Sequence, residues 1–450
     1  MTHSTETREA TRPGTPPHGP VRAGLAETVR FMATHTLPVF VRGVASPRPG
    51  VVALYSRVNQ PGWSSATLRA MKTRHRGAPV MVRALSGEML VLFDEEDIAR
   101  FFAEPMDVLA MDAKDKADSL GVFEPTGVLC SHGRLREDRR EVNDRALAAG
   151  QPLHPACAEY QGIVEEECRP LTAGTILDFP RLRAAVARIA RRVALGDAAA
   201  EDEELWSWLM TLLGQANWMG RSRPQANRAL YGRVEARLAR YAAGAAPHTL
   251  VARALSAPSP EGTDPLGQIP HWLLATDVCA TAIARTLLLL AAHPAEQAEA
   301  RAEAVAGTRG LPRLRACVQE SVRLYPIVPD LVRVTRAETE WRGVRYPAGT
   351  TVLVPIGFHQ RDPERVPGGH LFAPARWLAP GADQDTRMAP FSQGAGRCPG
   401  DLLGLLLSSL VCAEVLRGNR LTGARPALDT GRPLPGIVDT AGIRLRLGRP

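Results

Sequence analysis

One cysteine lies in a glycine-rich loop directly in front of an apolar segment. The loop runs from Ala389 to Gly400, places Cys398 near its end and is followed by residues 401–417, which are predicted to form a helix. Glycines permit a tight backbone turn, and loop amides together with the positive end of the following helix favour a sulfur held as a thiolate. A thiolate presented in this way suits the coordination of iron.

Two other interpretations of this loop compete with iron binding. Most cysteines that carry no chemistry are small buried residues that only pack. The spacing Gly394-x-Gly396-x-x-x-Gly400 in front of a helix also resembles a dinucleotide-binding turn. That turn requires a strand directly before it and a βαβ unit around it. The segment before this loop is instead broken by prolines and charged residues, which supports the nucleotide interpretation poorly.

The loop resembles the cysteine signature of the cytochrome P450 family, the haem-thiolate monooxygenases. The matching residues are Phe391, Gly394, Cys398 and Gly400, in the pattern Phe-x-x-Gly-x-x-x-Cys-x-Gly. The resemblance implies that Cys398 binds the iron of haem b (iron protoporphyrin IX) and that Phe391 and Arg397 lie beside the haem. In the family a basic residue usually stands two positions before the cysteine. Here a glycine stands there, and Arg397 is displaced by one position.

Two upstream segments extend the resemblance, which covers the chain from Pro79 to its end. Glu320-Ser-Val-Arg323 resembles the Glu-x-x-Arg helix of the family, and the segment around Arg376 resembles the part that supplies a second arginine. Glu320 and Arg323 are one helical turn apart, and a buried bidentate pair of this kind is a strong lock. The resemblance implies that Glu320, Arg323 and Arg376 form a structural triad that serves the fold and haem retention.

Two further arginines occupy positions where the family binds the haem propionates. Arg139 lies on the helix predicted over residues 133–147, and Arg333 lies on a strand predicted near residues 332–334. The resemblance implies that both contact propionates. Leu135 stands where relatives often have a tryptophan or histidine, so one propionate contact is expected to be missing.

The longest predicted helix covers residues 269–292 and ends before a His-Pro pair. In the family this helix crosses the haem face and carries an acid–alcohol pair that delivers protons to bound dioxygen. The resemblance places Asp277 at the acid position, but Val278 stands where the threonine is expected, and a valine cannot donate a proton. Thr281 lies four residues after Asp277 and so shares its helix face. We therefore expect Asp277 and Thr281 to be the catalytic pair, with a substrate hydroxyl as the alternative.

The predicted fold is mainly α with a small β region, the cytochrome P450 fold. Residues 1–22 are polar and rich in proline and threonine and are expected to be a disordered tail, whereas residues 23–450 are expected to form a single domain. A β-hairpin is predicted from 80–82 to 89–93 with its turn at Ser86-Gly87, and residues 106–131 are predicted to be a long loop.

Composition excludes several classes of protein. The seven cysteines form no Cys-x-x-Cys pair, which argues against a disulfide scaffold or zinc ribbon and fits a reducing cytosol. No apolar signal segment stands at the N-terminus, and the longest apolar stretches are interrupted by Asp277 and Arg285. We therefore expect a cytoplasmic protein with no membrane anchor. The net charge is +8, but basic residues are spread along the whole chain, so nucleic-acid binding is not expected.

These observations lead to one principal function hypothesis and two alternatives. The principal one is an oxygen-dependent monooxygenase of bacterial secondary metabolism that oxidises a small organic molecule and receives electrons from ferredoxin and ferredoxin reductase. One alternative is a peroxide-driven or oxidative-coupling enzyme, which does not need the missing alcohol at Val278. The other is a non-catalytic haem-binding protein. The sequence does not specify the substrate, because a shared fold does not determine specificity.

Overall fold

The computed structural model describes residues 19–85, 87–218, 221 and 223–449. Helices dominate this part of the chain. They are α1 (Leu25–Phe31), α2 (Leu37–Arg42), α3 (Pro49–Val58), α4 (Gln60–Arg74), α5 (Glu95–Ala103), α6 (Lys114–Leu120), α7 (Gly133–Leu147), α8 (Cys157–Thr172), α9 (Phe179–Leu195), α10 (Glu203–Ala216), α11 (Pro224–Ala242), α12 (Leu250–Ala254), α13 (Ile269–Ala292), α14 (Pro294–Ala306), α15 (Pro312–Leu324), α16 (Ile356–His359) and α17 (Asp401–Arg417).

Short strands form three small sheets beside the helices. The strands are β1 (Val80–Ala84), β2 (Gly87–Val91), β3 (Leu109–Ala110), β4 (Ile176–Asp178), β5 (Leu331–Thr335), β6 (Thr339–Trp341), β7 (Val344–Tyr346), β8 (Thr351–Val354), β9 (Arg420–Arg425) and β10 (Arg444–Gly448). The largest sheet has the order β1-β2-β8-β5-β3, the second has the order β4-β10-β9, and β6 pairs with β7. The expected fold class, mainly α with a small β region, is confirmed.

Helix α13 runs through the middle of the main core. It packs against α9, α15 and α17, and Leu273, Ile283 and Leu287 on it are fully buried. Proline near its first turn and His293-Pro294 after its last residue set its bounds. The cysteine loop leads into α17, which packs on α13. Cys398 therefore lies close to the helix on which the main core is built.

Several local predictions agree with the structure. Helices α7, α13 and α17 have the predicted bounds. Strands β1 and β2 form the predicted hairpin, with Val80 opposite Val91, although Ser86 of its turn lies outside the described residues. The Asp94 carboxylate caps α5 by accepting a hydrogen bond of 3.0 Å from the Glu96 amide. Acidic first-turn residues therefore start this helix as its dipole prefers.

Two predictions need correction. The segment 106–131 is not a continuous loop, because it contains β3 and α6. Its short helix has only seven residues, too few to give a clear hydrophobic period in the sequence. The predicted tail of residues 1–22 is too long, because the Met81 amide donates a hydrogen bond of 2.8 Å to the Val21 carbonyl and Arg22 bridges to β1. Residues 1–18 lie outside the described part of the chain.

Within the described residues one helical stretch, Leu266–Ala292, is long and apolar enough to cross a membrane by length and composition. Of its most apolar window, 61% is buried inside the protein. Since this stretch contains α13, the helix on which the main core is built, its apolar composition is explained by packing.

Candidate active site

Two glycines give the cysteine loop its close fit against neighbouring segments. Gly394 has a φ of +62°, and a Cβ on it would lie 2.1 Å from the carbonyl oxygen of Phe102. A Cβ on Gly396 would lie 2.5 Å from Nη2 of Arg333. Side chains at either position would displace the loop. The glycine that stands where the family usually has a basic residue is therefore explained, because the Arg333 guanidinium already occupies that space.

We infer that the sulfur of Cys398 borders an internal open space. The Cys398 amide donates a hydrogen bond of 2.9 Å to the carbonyl of Phe391, which fixes the turn. The side chain is exposed, yet desolvation by the surrounding protein raises the pKa of the thiol to about 11. A side chain that is exposed while protein surrounds it is expected to border a cavity.

The protein alone does not hold this sulfur as a thiolate. The Gly400 amide hydrogen-bonds the sulfur and the charge of Arg140 also lowers its pKa, but burial outweighs both. The Gly400 amide thus acts in the expected direction, towards the thiolate, but burial acts against it more strongly. Pro399 has no N–H and offers no further donor. Coordination of a metal ion is required to remove the proton.

Two buried arginines next to the loop have nitrogen atoms without partners. Arg333 is 1% exposed, and it donates through Nη1 to the Phe101 carbonyl while Nη2 has no partner. Arg136 donates through Nη2 to the Ala395 carbonyl at 2.9 Å, and its Nε has no partner. Burial and the charge of Arg136 lower the pKa of Arg333 to about 10. Buried cations this close require an anion between or beside them.

The predicted contacts of Arg139 and Arg397 are not found at this place. Arg139 donates to Ser131 Oγ at 2.6 Å and to the carbonyls of Gly262 and Thr263 at 3.1 and 3.3 Å. Each nitrogen of the Arg139 guanidinium therefore donates a hydrogen bond to a loop residue. Arg397 instead donates to the carboxylates of two aspartates, Asp401 at 2.7 Å and Asp383 at 3.1 Å.

The structure brings Glu320, Arg323 and Arg376 together. Arg323 donates from Nε and Nη2 to the two carboxylate oxygens of Glu320, both at 2.8 Å, and Arg376 Nε donates to the same carboxylate at 3.2 Å. The Trp377 indole and the Ala373 amide add bonds of 2.8 and 3.0 Å. Glu320 and Arg323 are both completely buried, with every Glu320 oxygen satisfied.

Arg323 also ties this cluster to the chain that follows β8. Its Nη1 donates to the carbonyls of Gln360 and Gly369 at 2.6 and 2.9 Å, and its Nη2 donates to that of Leu371 at 3.1 Å. A side chain that holds three separate carbonyls fixes the path of the segment between β8 and the cysteine loop. These contacts support the predicted structural role of the triad, which stays a prediction.

Asp277 and Thr281 are not brought to the sulfur. The Asp277 carboxylate accepts hydrogen bonds from Arg183 on α9, at 2.9 Å from Nε and 2.8 Å from Nη2. Cys279, in contrast, faces α17, since its sulfur would lie 3.7 Å from a Cβ on Gly404. Positions two residues before and after Cys279 are each rotated by about 160° from it on a helix. Asp277 and Thr281 therefore occupy the opposite side of α13.

Arg136 is the site residue that the sequence interpretation missed. It lies three residues before Arg139 on α7, which carries several arginines, and one turn of a helix decides which of them faces the loop. His132 was the signal for Arg136. Relatives often have a tryptophan or histidine four residues before the arginine, and His132, directly before α7, stands four residues before Arg136. Arg140, one position past Arg139, donates to the Arg397 carbonyl at 2.8 Å and so also supports the loop.

Comparison with known proteins agrees with this geometry. Residues 274–424 match the cytochrome P450 family model. The chain is 34% identical over 186 residues to cyclooctat-9-en-7-ol 5-monooxygenase and 33% identical over 189 residues to cyclooctatin synthase, both of Streptomyces melanosporofaciens. These alignments cover 38% and 39% of this chain. They cover only 38% and 40% of the length of the two relatives.

Solved structures extend the likeness over the rest of the chain. The retinoic acid-bound cyanobacterial CYP120A1 superposes with a TM-score of 0.70 at 18% identity, over 85% of this chain and 94% of that chain. A second cytochrome P450, CYP102L1, gives a TM-score of 0.70 at 16% identity, over 97% and 100% of the two chains. These likenesses show that the chain has the fold of these two cytochromes P450. The match to the family model covers residues 274–424, the part that contains the Glu320 cluster and the cysteine loop.

The match to the cytochrome P450 family model implies a haem b cofactor, and the residues present fit it. Haem carries an iron and two propionate carboxylates. Cys398 offers a sulfur ligand, whereas Arg136 and Arg333 offer the unpaired nitrogens that two carboxylates would satisfy. Cys398 would hold the iron of this group. Among the described residues no group of three or more histidine, cysteine or acidic side chains could hold a metal ion.

Proposed function

We propose that this protein is an oxygen-dependent haem-thiolate monooxygenase that oxidises a small organic molecule. The observation that carries the proposal is the sulfur of Cys398 on the wall of an internal open space, next to two buried arginines that lack an anion. The named relatives support it, because one is a monooxygenase of a Streptomyces species. Haem bound through a thiolate supplies the oxygen-activating chemistry, because the sulfur pushes electron density that favours O–O cleavage.

The residues of this chain perform three tasks around that chemistry. Cys398 would hold the iron through its sulfur as a thiolate, and the Gly400 amide would stabilise the charge on that sulfur. Arg136 and Arg333 would neutralise and orient the propionate carboxylates. Ala275, a small exposed residue on the same face of α13 as Cys279, would leave room beside the site.

Proton delivery in this chain does not use a hydroxyl at position 278. Val278 has none, and Asp277 and Thr281 lie on the other side of α13. We infer that water or a substrate hydroxyl near α13 would supply the protons that the oxygen-activating chemistry needs. The role first expected for Asp277 and Thr281 would require water to carry protons around the helix from their face.

Electron delivery and location belong to the same proposal. We infer that ferredoxin and its reductase are the electron donors, since the net charge of +8 favours an acidic partner. A cytoplasmic protein in bacterial secondary metabolism is in keeping with the two Streptomyces relatives. We expect residues 23–450 to act as a single domain.

The decisive experiment compares Cys398→Ser with the wild-type protein after haem loading. Loss of the red-shifted Soret band of the reduced, CO-bound form is expected, because serine provides no thiolate. Cys157→Ser, a change at a half-buried cysteine, should leave the band in place. A band that survives in Cys398→Ser would contradict the proposal.

Turnover then tests the oxidant. Product formation that consumes NADPH through ferredoxin reductase and ferredoxin is expected. Product formation with hydrogen peroxide, but not with reductase, ferredoxin and NADPH, would assign the protein to the peroxide-driven class instead. Haem binding without turnover of any candidate substrate by either route would support a non-catalytic role.

A further inference from the structure

We propose that Arg140 is a positioning residue for the iron ligand. Its guanidinium holds the peptide bond that precedes Cys398, and its charge raises the reduction potential of the bound haem. This inference rests on the proposed function, since it concerns the same sulfur ligand. Arg140 belongs neither to the two arginines with unpaired nitrogens beside the cysteine loop nor to the Glu320 cluster.

Arg140 reaches the loop through the carbonyl directly before the cysteine. Its Nη1 donates a hydrogen bond of 2.8 Å to the carbonyl oxygen of Arg397. The N–H of the same peptide bond belongs to Cys398 and donates a hydrogen bond of 2.9 Å to the Phe391 carbonyl. Hydrogen bonds at the two ends of one peptide group strengthen each other, because each polarises the group in the direction that favours the other. Arg140 therefore stabilises the turn that orients Cys398.

Two arginines that are one turn apart hold the loop to α7. Arg136 donates to the Ala395 carbonyl at 2.9 Å, two residues before the carbonyl that Arg140 holds. Residues four apart lie on the same face of a helix, so this face of α7 follows the loop. Arg136 has Nε left for a propionate, whereas Nε of Arg140 donates to a carboxylate of the protein. The two arginines therefore have different tasks.

Asp144 is the ion-pair partner of Arg140. Its carboxylate accepts a hydrogen bond of 2.7 Å from Nε of Arg140, and the two residues are four apart on α7. The Asp144 side chain is 41% exposed, whereas that of Arg140 is 22% exposed. Since the guanidinium bonds directly to the loop and the carboxylate bonds to the guanidinium, we expect the positive charge to be nearer to Cys398 than the negative one.

A positive charge at this place favours the reduced state of the haem. Reduction adds one electron, so the iron and its sulfur ligand together carry one more negative charge afterwards. Attraction between this charge and a nearby cation stabilises the reduced state, although solvent and salt weaken the attraction. Arg140 should therefore raise the reduction potential, and Asp144, which neutralises part of the guanidinium charge, should lower it.

The test measures the reduction potential of the haem-loaded full chain by spectroelectrochemical titration. In Arg140→Gln the equilibrium constant for one-electron reduction should fall by about threefold to tenfold, which lowers the potential by about 30–60 mV. Arg140→Lys keeps the charge and a hydrogen-bond donor, so its potential should lie closer to that of the wild type than to that of Arg140→Gln. An unchanged potential in Arg140→Gln would overturn the proposal.

Asp144→Asn separates an effect of charge from an effect of stability. The Asp144 side chain is partly exposed, so this variant should fold even if Arg140→Gln does not. Its equilibrium constant for reduction should rise by about twofold, because the guanidinium charge is no longer neutralised. A merely structural ion pair would lower the unfolding free energy in both variants without opposite shifts in potential. An unchanged or lowered potential in Asp144→Asn would overturn the proposal.

Matched controls on α7 separate this effect from that of surface charge in general. Arg134→Gln removes a positive charge from a side chain that is 79% exposed, and Glu141→Gln removes a negative charge from one that is 73% exposed. Both should leave the potential unchanged, because salt screens exposed charges. A shift in Arg134→Gln as large as that in Arg140→Gln would overturn the proposal.

The reduced, CO-bound spectrum of each sample distinguishes the two levels of the argument. Unchanged potentials in both test variants with an intact red-shifted Soret band would overturn the role of Arg140 alone. Absence of that band in the wild-type protein would contradict the proposed function.

Discussion

Two groups of buried charges in the described part of the chain differ in how completely their hydrogen bonds are satisfied. Around Glu320 each carboxylate oxygen accepts at least two hydrogen bonds, and the neighbouring Arg323 also holds three backbone carbonyls. Next to the cysteine loop, Nη2 of Arg333 and Nε of Arg136 have no partner.

This difference separates scaffold from binding surface without reference to any relative. A closed network of hydrogen bonds gains nothing from a ligand and loses much when one member is removed. An open set of buried donors and acceptors is costly until a ligand completes it. The Glu320 cluster is therefore expected to stabilise the fold, and the two arginines beside the cysteine loop are expected to bind a ligand.

The largest effect is expected in the closed cluster. Glu320→Ala would leave the Arg323 cation buried without its partner, and loss of one partner of a buried pair costs about 3–5 kcal/mol of unfolding free energy. Chemical denaturation would measure the loss. Glu340→Ala, which breaks an exposed pair 3.9 Å from Arg345, should cost less than about 1 kcal/mol. Similar losses for the two changes would contradict a closed cluster.

The next largest effect is on haem affinity. It should separate Arg136 and Arg333, which have unpaired nitrogens, from Arg139. Arg136→Met and Arg333→Met should each weaken haem affinity by about tenfold or more, or about 1.4 kcal/mol, while the unfolding free energy of the haem-free protein does not fall. Arg139→Met should lower the unfolding free energy of the haem-free protein and leave haem affinity unchanged, because the hydrogen bonds of Arg139 all go to protein atoms. Haem transfer to apomyoglobin measures the affinity. A haem loss confined to Arg139→Met would show that the assignment on α7 is wrong.

A pH effect is expected from a third buried group, which is closed like the Glu320 cluster. His154 accepts from the Ala156 amide at Nδ1 and donates from Nε2 to the Ala146 carbonyl, both at 3.1 Å, which only a neutral ring can do. Burial lowers the pKa of His154 from 6.5 to about 4. The unfolded chain binds a proton in that interval and the folded chain does not, so stability falls as the pH drops from 6.5 to 4.

The slope from one such proton is at most about 1.4 kcal/mol per pH unit. His154→Gln should therefore make the loss of unfolding free energy between pH 6.5 and 4 shallower, as measured by denaturation at several pH values. His248→Gln, at a half-exposed histidine, is the control. An unchanged slope in His154→Gln would mean that this ring is protonated in the folded protein.

The smallest effect concerns the pair on the far side of α13. Asp277→Asn and Arg183→Met should each lower the unfolding free energy by about 0.5–1 kcal/mol, and the double variant should lose no more than either alone. The ratio of product to NADPH consumed is measured on the same proteins. A fall in that ratio for Asp277→Asn but not for Arg183→Met would show that the carboxylate acts on bound oxygen.

The sequence predicts the Glu320 cluster better than it predicts the arginines with unpaired nitrogens beside the cysteine loop, and the reason is physical. Glu320 and Arg323 are one turn apart on one helix, so their contact follows from local geometry. Arg376 follows from its place in a recognisable segment. The bounds of α13 and α17 follow from proline, glycine and continuous apolar runs.

The open groups depend on tertiary rotation, which local patterns do not specify. A rotation of α7 by less than one turn exchanges Arg136 for Arg139, and both choices keep the helix amphipathic. Asp277 faces α9 because α13 packs there on another helix, and no spacing within α13 reveals this.

A direct contact between two backbone segments helps to set the position of the Cys398 sulfur. Gly394 lies directly under the Phe102 carbonyl, with no side chain between them. Because backbone segments shift less than side chains when a core is repacked, the iron ligand is insulated from changes in the pocket above it. Substitutions that change the shape of the substrate pocket are therefore expected to leave the position of the Cys398 sulfur unchanged.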